Sequence, residues 1–411
     1  MKLLFLNTLY APHIGGGAEL MVQAMAEGLQ ARGHSVQVLS TGPDAGVHSE
    51  LHNGVPVLRA GLRNLYWPFA DPRPGLLRRL AWHALDRYNR GMRDVLAQVL
   101  AQSRPDLVVC HNLSGWSIAA WDAIRDAGLP IVQVLHDQYL TCPRAMRFNN
   151  GQHCQQQCVS CALLRRSHAQ ASAQVDTVVG VSRYQLAALV DAGYFAHSQH
   201  YVVYNCAPFI PLQEAPAALV QHRPLRFGFI GAITPNKGVE WLIEQFQKQA
   251  LDASLLIAGR GDAAYVNTLK SLADPQHVHF VGYRNPCGFF AEIDVAVVPS
   301  VGPESFGLVA LEACAHHLPV IVSTRGGLVE IVRDGLNGLH CSPERPDSLG
   351  DAIRRLSEDA PLRQRLASRA RESVESMLSV ERMLDEYEAV LHHTLLSRGV
   401  RHGSAIAVSA L

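Results

Sequence analysis

Residues 297–313 read VVPSVGPESFGLVALEA, and this stretch decides the fold class. A run of apolar, β-branched residues predicts a strand that ends at Pro299. A polar turn follows, and the spacing of the later apolar residues predicts a helix that begins near Ser305. A short apolar strand joined by a turn to a helix is the repeating unit of parallel α/β sheets.

The same alternation extends through most of the chain on both sides of this stretch. Short apolar runs at 2–6, 131–136 and 225–230 are each followed by residues with helical spacing or a polar turn. Between residues 207 and 224 this alternation is absent, and several prolines interrupt the chain. The sequence therefore predicts two α/β domains with a cleft between them, and ligands of such sheets bind beyond the carboxyl ends of the strands.

The domain boundaries follow from where the alternation stops and restarts. We predict a first domain at 1–206 with a Cys-rich loop at 142–161, a linker at 207–224, a second domain at 225–375, a helix at 376–397 that packs back on the first domain, and a tail at 398–411. The tail is predicted to fray because its residues are small and aperiodic.

Composition excludes several classes of protein. The chain has 411 residues, of which 48% are apolar, so it is neither a single small module nor disordered. Lys plus Arg and Asp plus Glu each number 36, so no net charge draws the protein to nucleic acid. No apolar run is long enough to span a bilayer, and the N-terminus lacks a signal-peptide core. With most cysteines scattered singly, we expect a cytoplasmic protein.

Three strand-to-helix turns carry residues suited to binding an anion or a sugar. Gly15 and Gly16 would let a ligand approach backbone N–H groups, although glycine is common in such turns. Lys237 lies at the start of a helix, where a cation is unfavourable unless an anion binds there; a solvated lysine is the alternative. His136 follows a strand, where a core hydrogen-bond partner is equally typical.

The strongest pattern is the pair of carboxylates in the opening stretch. Glu312 lies eight positions after Glu304, so a helix that covers the whole separation would place them up to about 12 Å apart. This matches the distance from the sugar of a nucleotide-diphosphate sugar to its ribose, with the diphosphate at the helix N-terminus. An ordinary amphipathic helix capped by Glu304 is the alternative.

Together these features resemble the retaining glycosyltransferases of family 4, also called group 1, with two facing Rossmann-like domains in the GT-B arrangement. The resemblance covers nearly the whole chain. The motifs that carry it are Gly15-Gly16-Gly17-Ala18-Glu19, Arg32-Gly33-His34, His136, Val181-Ser182, Tyr204-Asn205, Gly231, Lys237-Gly238, Gly259, Val281-Gly282-Tyr283, Pro299-Ser300, Glu304-Ser305-Phe306-Gly307-Leu308, Leu311-Glu312-Ala313, Pro319-Val320-Ile321 and Gly326-Gly327-Leu328.

The resemblance implies transfer of a sugar from a nucleotide-diphosphate sugar to a hydroxyl of a growing glycan or lipid-linked acceptor, with retention, in cell-surface polysaccharide synthesis. His136 and Glu304 would be the catalytic residues, the former over the donor sugar and the latter contacting it. The other implied donor-binding residues are Gly15, Gly16, Lys237, Ser305, Phe306, Gly307, Leu308 and Glu312. Of these, Glu312 would hold the ribose and Lys237 the diphosphate.

One position departs from the family pattern. Ala232 stands where the family often has an arginine, and Arg260 at a neighbouring strand end is the proposed substitute. No Asp-x-Asp pair occurs in the chain, so we expect no catalytic divalent metal. The alternatives are a non-catalytic nucleotide-sugar-binding assembly subunit and an oxidoreductase or epimerase on a similar fold; the missing GxGxxG turn counts against a dehydrogenase.

Four cysteines form a cluster after the His136 turn. Cys142, Cys154, Cys158 and Cys161 have 11, 3 and 2 residues between them. Four thiolates in this spacing suit a structural zinc or an iron-sulfur cluster, and free thiols are the alternative. The Cys-x3-Cys-x2-Cys part also resembles radical enzymes that bind S-adenosylmethionine, without their other features.

An amphipathic, basic segment suggests a further partner. Residues 76–100 read as one helix with an apolar face and an excess of arginines. We expect peripheral contact with an anionic membrane on its inner face, where a lipid-linked acceptor would be carried; a solvated helix face is the alternative.

Overall fold

The structure, a computed structural model, describes residues 1–69, 74–149, 151–207 and 224–401. The chain divides into two compact units. The first contains Met1–Ala145, Gln157–Tyr204 and the chain from Glu381 onward, and the second contains Met146–Gln156 and Asn205–Val380. The predicted linker lies largely outside the described residues, as does the predicted tail from residue 402.

The strands are β1 (Lys2–Leu6), β2 (Ser35–Gly42), β3 (Val47–His52), β4 (Val55–Gly61), β5 (Leu107–Cys110), β6 (Ile131–Leu135), β7 (Phe148–Asn149), β8 (Gln152–His153), β9 (Thr177–Gly180), β10 (Gln199–Val202), β11 (Leu225–Ile230), β12 (Ala253–Ala258), β13 (Val278–Gly282), β14 (Val295–Val298), β15 (Val320–Ser323) and β16 (Gly338–Cys341).

The helices are α1 (Gly17–Ala31), α2 (Leu76–Leu85), α3 (Arg90–Ser103), α4 (Ala119–Asp126), α5 (Val159–Arg165), α6 (His168–Ser172), α7 (Arg183–Val190), α8 (Val239–Lys248), α9 (Ala263–Leu272), α10 (Pro286–Ala291), α11 (Leu308–Ala315), α12 (Leu328–Ile331), α13 (Asp347–Glu358), α14 (Ala360–Ala370), α15 (Glu375–Leu378) and α16 (Val380–Arg401).

The first unit is built on one large sheet. Its strand order over the described residues is β10-β9-β6-β5-β1-β2-β4-β3. The neighbours pair in parallel except β3, which runs antiparallel to β4. The order reverses between β1 and β5, so the carboxyl ends of these strands form a topological switch point, where α/β sheets bind ligands.

The second unit repeats this plan with a smaller sheet. Its described strands lie in the order β13-β12-β11-β14-β15-β16, and all pairs are parallel. Apolar side chains of the central strands, among them Phe227, Leu255 and Val297, are fully buried in its core. The switch point lies between β11 and β14. The predicted α/β fold class is confirmed in both units.

Two predicted elements differ from the structure. The single helix predicted over 76–100 divides into α2 and α3, because the buried Asp86 ends the first helix and the Asn89 side chain accepts the Met92 N–H at 3.1 Å to begin the second. The helix predicted to begin near Ser305 begins at Leu308, after Gly307 with φ 108°. The prediction of about 12 Å between Glu304 and Glu312 therefore lacks its basis, since the helix does not cover the whole separation.

The last helix, α16, belongs to the first unit. Arg32, at the end of α1, forms ion pairs with Glu381, Asp385 and Glu388 on this helix. Close packing accompanies these charges, since a Cβ placed on Gly28 would lie 2.5 Å from the Leu384 Cδ1 atom. No helix in the described part of the chain is long and apolar enough to cross a membrane.

Candidate active site

Three polar side chains meet beyond the carboxyl ends of β11 and β14 in the second unit. The Lys237 Nζ lies 2.5 Å from the Glu304 Oε1 atom, and the Ser300 hydroxyl donates to the same oxygen at 2.6 Å. The Glu304 side chain is only 14% exposed. The carboxylate is therefore held in one orientation by a cation and a hydroxyl, which suits precise hydrogen bonding to a ligand.

Backbone contacts hold the Lys237 turn against the loop after β14. The Asn236 carbonyl accepts the N–H groups of Val301 and Gly302 at 3.0 and 2.9 Å. Gly238 has φ 74°, and a Cβ placed there would lie 2.1 Å from the Pro299 carbonyl oxygen. Only glycine allows this approach, so the two loops form one rigid wall.

A second glycine turn supports Glu304 from the β15 side. The Gly327 N–H donates to the Glu304 carbonyl at 2.8 Å, and a Cβ on Gly326 would lie 2.0 Å from that oxygen. The buried Ser323 hydroxyl donates to the Ser300 carbonyl at 2.6 Å. No role was predicted for the two serines from the sequence, and their only signal was a polar residue at or near the end of an apolar strand.

The remaining predicted donor-binding residues of this loop lie at the start of α11. Ser305 and Phe306 belong to the turn, Gly307 precedes the helix, and Leu308 opens it. The first N–H groups of a helix have no acceptor within it and favour an anion.

Glu312 lies on the second turn of α11, and burial raises the pKa of its carboxyl to about 7. A hydroxyl-bearing ligand would stabilise this desolvated group.

Arg260 lies beside the turn that contains Ala232. Its backbone carbonyl accepts the Ile233 N–H at 2.8 Å, which joins the ends of β11 and β12. The exposed guanidinium lies over the Tyr283 ring, 4.8 Å from its centroid. The structure thus places Arg260 at the same sheet edge as Lys237, with its side chain engaged in a cation–π contact.

A hairpin from the Cys-rich loop also belongs to the second unit. Strands β7 and β8 pair antiparallel, and Phe148 is 8% exposed. A Cβ placed on Gly302 would lie 3.4 Å from the Phe148 ring, so this ring packs against the loop that precedes Glu304. This hairpin could not be predicted from the sequence, because strands of two residues are too short to show an alternating pattern of apolar residues.

In the first unit, His136 is paired with a second histidine. His111 and His136 follow the neighbouring strands β5 and β6, and the His111 Nδ1 lies 2.9 Å from the His136 Nε2. Desolvation lowers the pKa of His136 to about 4 and that of His111 well below its ordinary value. Both rings are neutral at physiological pH. Sequence reasoning missed His111, although it too is a polar residue directly after an apolar strand.

The glycine turn after β1 is closed by an acidic side chain. The Gly16 N–H donates to the Glu19 Oε2 at 2.8 Å. Glu19 is buried, and desolvation raises its pKa. The Gly16 N–H predicted to border a phosphate is therefore already occupied by a carboxylate, and the Gly15 backbone adjoins the same side chain.

The predicted metal centre at the four cysteines is not supported. The Cys161 Sγ lies 4.0 Å from the Cys142 Sγ, and all four residues are free thiols. Among the described residues, no group of three or more His, Cys, Asp or Glu side chains could hold a metal ion. The physical reason is their surroundings: Cys142 is buried, Cys154 and Cys161 are partly exposed and Cys158 is exposed, so the four thiols do not line one enclosed point.

Comparisons with known proteins place the chain in a family. A model of the glycosyl transferase 4-like domain matches residues 16–206, and a model of group 1 glycosyl transferases matches residues 224–359. An uncharacterized 42.6 kDa protein in the cps region of Klebsiella pneumoniae is 31% identical over 336 residues, 81% of this chain and 88% of that protein. The chain belongs to the group 1 glycosyltransferases. It is therefore an enzyme of the glycosyltransferase class that uses nucleotide sugars.

Solved structures of other glycosyltransferases share the fold. HepE from Anabaena, solved in complex with UDP and glucose, superposes with a TM-score of 0.71 at 21% identity, covering 95% of this chain and 99% of HepE. Sucrose-phosphate synthase from Thermosynechococcus elongatus gives a TM-score of 0.76 at 20% identity, covering 96% and 99%. The predicted GT-B fold class and the family resemblance are confirmed.

Proposed function

We propose that this glycosyltransferase moves a sugar from a nucleotide-diphosphate donor to a hydroxyl of a glycan or lipid-linked acceptor, with retention of configuration, in cell-surface polysaccharide synthesis. The observation that supports it best is the Lys237–Glu304–Ser300 cluster at the switch point of the second sheet. A fixed cation and a fixed carboxylate within one hydrogen bond suit a ligand that carries a diphosphate next to a sugar.

The chemistry of this transfer depends on stabilising the departing diphosphate. Lys237 supplies a positive charge, and the N-terminal N–H groups of α11 supply aligned dipoles, so both would interact more strongly as negative charge develops. Glu304 would accept hydrogen bonds from sugar hydroxyls, and Glu312 from the ribose. Arg260 would add a second cation where the family arginine is replaced by Ala232. No residue needs to form a covalent intermediate if the acceptor attacks on the face that the diphosphate leaves.

The proposed role of His136 rests on the family resemblance and on its chemistry. With a pKa of about 4, the ring is a weak base at physiological pH. It therefore suits hydrogen bonding to a sugar oxygen better than proton abstraction. This is consistent with a reaction in which electrostatic stabilisation of the leaving group supplies most of the catalysis.

A screen of nucleotide sugars tests the proposal. The correct donor should raise the melting temperature and be hydrolysed slowly without acceptor, and NMR of the product should show the anomeric configuration of the donor. Binding of a donor with neither hydrolysis nor transfer to any glycan would favour the alternative, a non-catalytic nucleotide-sugar-binding assembly subunit. Inversion at the anomeric carbon would contradict the retaining mechanism.

We also propose that the acceptor is reached at the inner face of an anionic membrane, through α2. Leu76, Leu77 and Leu80 on this helix are 67%, 83% and 50% exposed. Arg78 and Arg79 lie between them and are exposed. Exposed leucines beside arginines suit a lipid surface, where each basic residue contributes about 1 kcal/mol. Met92 and Leu96, which lie in the later part of the helix predicted over 76–100, are buried in α3 and take no part.

Sedimentation with vesicles tests this surface. Vesicles containing phosphatidylglycerol should sediment the protein at low salt, and vesicles of phosphatidylcholine alone should not. The Leu77→Ser/Arg78→Gln/Arg79→Gln variant should remain in the supernatant. Leu51→Ser, at a leucine that is 71% exposed on β3, is the matched control and should sediment like the parent protein. Equal sedimentation of all three proteins would overturn the assignment of α2.

A further inference from the structure

We propose that His111 is a positioning residue that fixes the tautomer of His136, so that His136 presents its Nδ1–H as a hydrogen-bond donor to the sugar substrate. The inference rests on the proposed function only in giving His136 a substrate-facing role. The pairing of the two rings is independent of it.

The geometry leaves one nitrogen of His136 for a ligand. Its Nε2 lies 2.9 Å from the His111 Nδ1, and the rings are stacked with an interplanar angle of 28° and centroids 5.2 Å apart. The His136 residue is partly buried, and within the described residues its Nδ1 has no hydrogen-bond partner. The two rings therefore share one hydrogen bond, which leaves the His136 Nδ1 for a ligand.

The chain holds His111 firmly in this position. The residue is 2% exposed, its N–H donates to the Leu6 carbonyl at 2.8 Å, and its carbonyl accepts the Gln133 amide at 2.7 Å. The Phe5 ring also packs against it, tilted by 50° with centroids 5.3 Å apart. These contacts keep the His111 Nδ1 directed at the His136 Nε2, so the proton position of one ring sets that of the other.

The environment of the second His111 nitrogen decides the direction of the hydrogen bond. The His111 Nε2 is buried and has no partner within the described residues. For backbone groups, a buried N–H without an acceptor is rarer than an under-used acceptor. By the same preference, the His111 Nε2 is the unprotonated nitrogen, and the ring proton of His111 lies on Nδ1. His111 then donates to the His136 Nε2, and the single proton of His136 lies on Nδ1.

This assignment has a chemical consequence for the substrate. A neutral ring with Nδ1–H exposed donates to a sugar hydroxyl or ring oxygen and cannot accept a proton at that atom. The opposite tautomer would expose a lone pair, which could accept a hydroxyl proton and act as a base. His111 thus determines whether His136 is a donor or an acceptor toward the sugar.

Nitrogen NMR of protein with ¹⁵N-labelled histidine measures the tautomer directly. His136→Ala identifies the His136 signals by their loss. At pH 7.5 we expect the shift of a protonated nitrogen for Nδ1 and of an unprotonated nitrogen for Nε2. In His111→Phe the two shifts should move toward a mixture of tautomers. A protonated Nε2 in the parent protein, or an unchanged pattern in His111→Phe, would overturn the proposal.

Kinetics with three variants separate positioning from stability. His111→Phe should lower kcat roughly 2- to 12-fold, the effect of one neutral hydrogen bond, with little change in the donor KM. His111→Asn keeps an amide N–H that can donate to the His136 Nε2 and should restore both the tautomer and kcat. His168→Phe, at a fully buried histidine of the same unit, is the matched control and should leave the His136 shifts unchanged.

The outcomes also distinguish this inference from the proposed function. Full activity of His136→Ala would remove the substrate-facing role of His136, while the ¹⁵N shifts would still report whether His111 sets its tautomer. Loss of kcat in His111→Phe without rescue in His111→Asn, and with unchanged shifts, would show a structural role only and would overturn the positioning role.

Discussion

The ammonium of Lys237 lies 2.5 Å from the carboxylate of Glu304, although the two residues are 67 positions apart in the chain. The proposed contacts to the diphosphate and to the sugar are therefore electrically coupled before any ligand binds. When a donor binds, the Lys237 ammonium interacts with both the donor phosphates and the Glu304 carboxylate. Substitution of either residue consequently changes the charge that the other presents to the ligand, and the two variants should behave differently.

Glu304→Ala should separate sugar transfer from nucleotide binding. Loss of the carboxylate removes the proposed contact to the donor sugar and should lower transfer roughly 100-fold or more, because the sugar is no longer positioned. It also frees Lys237, so the nucleoside diphosphate alone should bind with unchanged or slightly higher affinity. Calorimetry with the diphosphate and an assay with the full donor measure the two effects. Weaker binding of the diphosphate with transfer retained would mean that the donor lies in the opposite direction.

Lys237→Ala should be more damaging to nucleotide recognition. A charge-assisted hydrogen bond is worth about 1.5 to 3 kcal/mol, so kcat/KM should fall roughly 10- to 150-fold. The unpaired Glu304 carboxylate would then repel the diphosphate and deepen the loss. Lys248→Ala is the control, because Lys248 is an exposed lysine that also forms an ion pair, 2.6 Å from Asp347.

The Lys237 result is best interpreted alongside Arg260→Ala. We expect the lysine to matter more, since the Arg260 guanidinium already lies over Tyr283. A comparable loss in both variants would show that Arg260 replaces the arginine missing at Ala232. Full activity of Lys237→Ala, with a donor that the parent protein turns over, would contradict the assigned diphosphate site.

Glu312 should make nucleotide binding depend on pH. Its pKa is raised by burial to about 7, so the carboxylate that accepts ribose hydroxyls forms mainly above that pH. Affinity for the nucleoside diphosphate should therefore rise between pH 6 and pH 8. Ionisation of the ligand phosphates also contributes to this rise. Glu312→Gln should remove the contribution of the carboxyl and leave that of the phosphates. An identical pH profile in the variant would argue against a ribose contact at Glu312.

The same shift has a consequence for stability. A carboxyl whose pKa is higher in the folded state than in the unfolded state destabilises the fold progressively as pH rises from about 4.5 to 7. Glu312→Gln should therefore raise the melting temperature most at pH 8 and little at pH 5. The difference between the two pH values, measured by thermal unfolding without ligand, isolates this carboxyl from other effects of the substitution.

Gly238→Ala should disrupt the wall that holds Lys237 next to Glu304. The substitution puts a methyl group 2.1 Å from the Pro299 carbonyl oxygen at φ 74°, so we expect a loss of at least about 3 kcal/mol of stability. Gly282→Ala is the matched control, because φ is 72° there and a Cβ meets nothing within 4 Å. It should cost about 1 to 2 kcal/mol from backbone conformation alone. Equal destabilisation in denaturant titrations would show that the Pro299 contact does not constrain the loop.

Periodicity predicted the parallel strands, because short apolar runs such as β6 and β14 alternate along the chain with segments of helical spacing. It failed where a local group overrides the average pattern. Gly307 delays the start of α11, and the buried Asp86 with the Asn89 cap divides the helix predicted over 76–100. The β3–β4 hairpin was missed despite the Asn53-Gly54 turn, whose φ values of 49° and 82° are those that an Asn-Gly sequence favours.

For the candidate site, charged residues could be predicted, but not the groups that hold them. Lys237 stands out because a cation at a helix N-terminus is unfavourable without an anion, and Glu304 stands out through its spacing from Glu312. Ser300 and His111 act through contacts with residues far along the chain, which spacing cannot show. The predicted metal centre is not supported among the described residues, since close spacing in sequence does not by itself bring four side chains around one point.

The ion pairs between Arg32 and α16 bear on how the protein folds during synthesis. Arg32 and Glu381 are 349 residues apart, so the ribosome must add nearly the whole second unit before the partners of Arg32 exist. At elongation rates of about 5 to 20 residues per second, that interval is roughly 17 to 70 s. Throughout this time the surface of α1 around Gly28 and Arg32 is uncovered. The nascent first unit therefore has a long period in which chaperones, or a second nascent chain, can occupy the place of its own C-terminal helix.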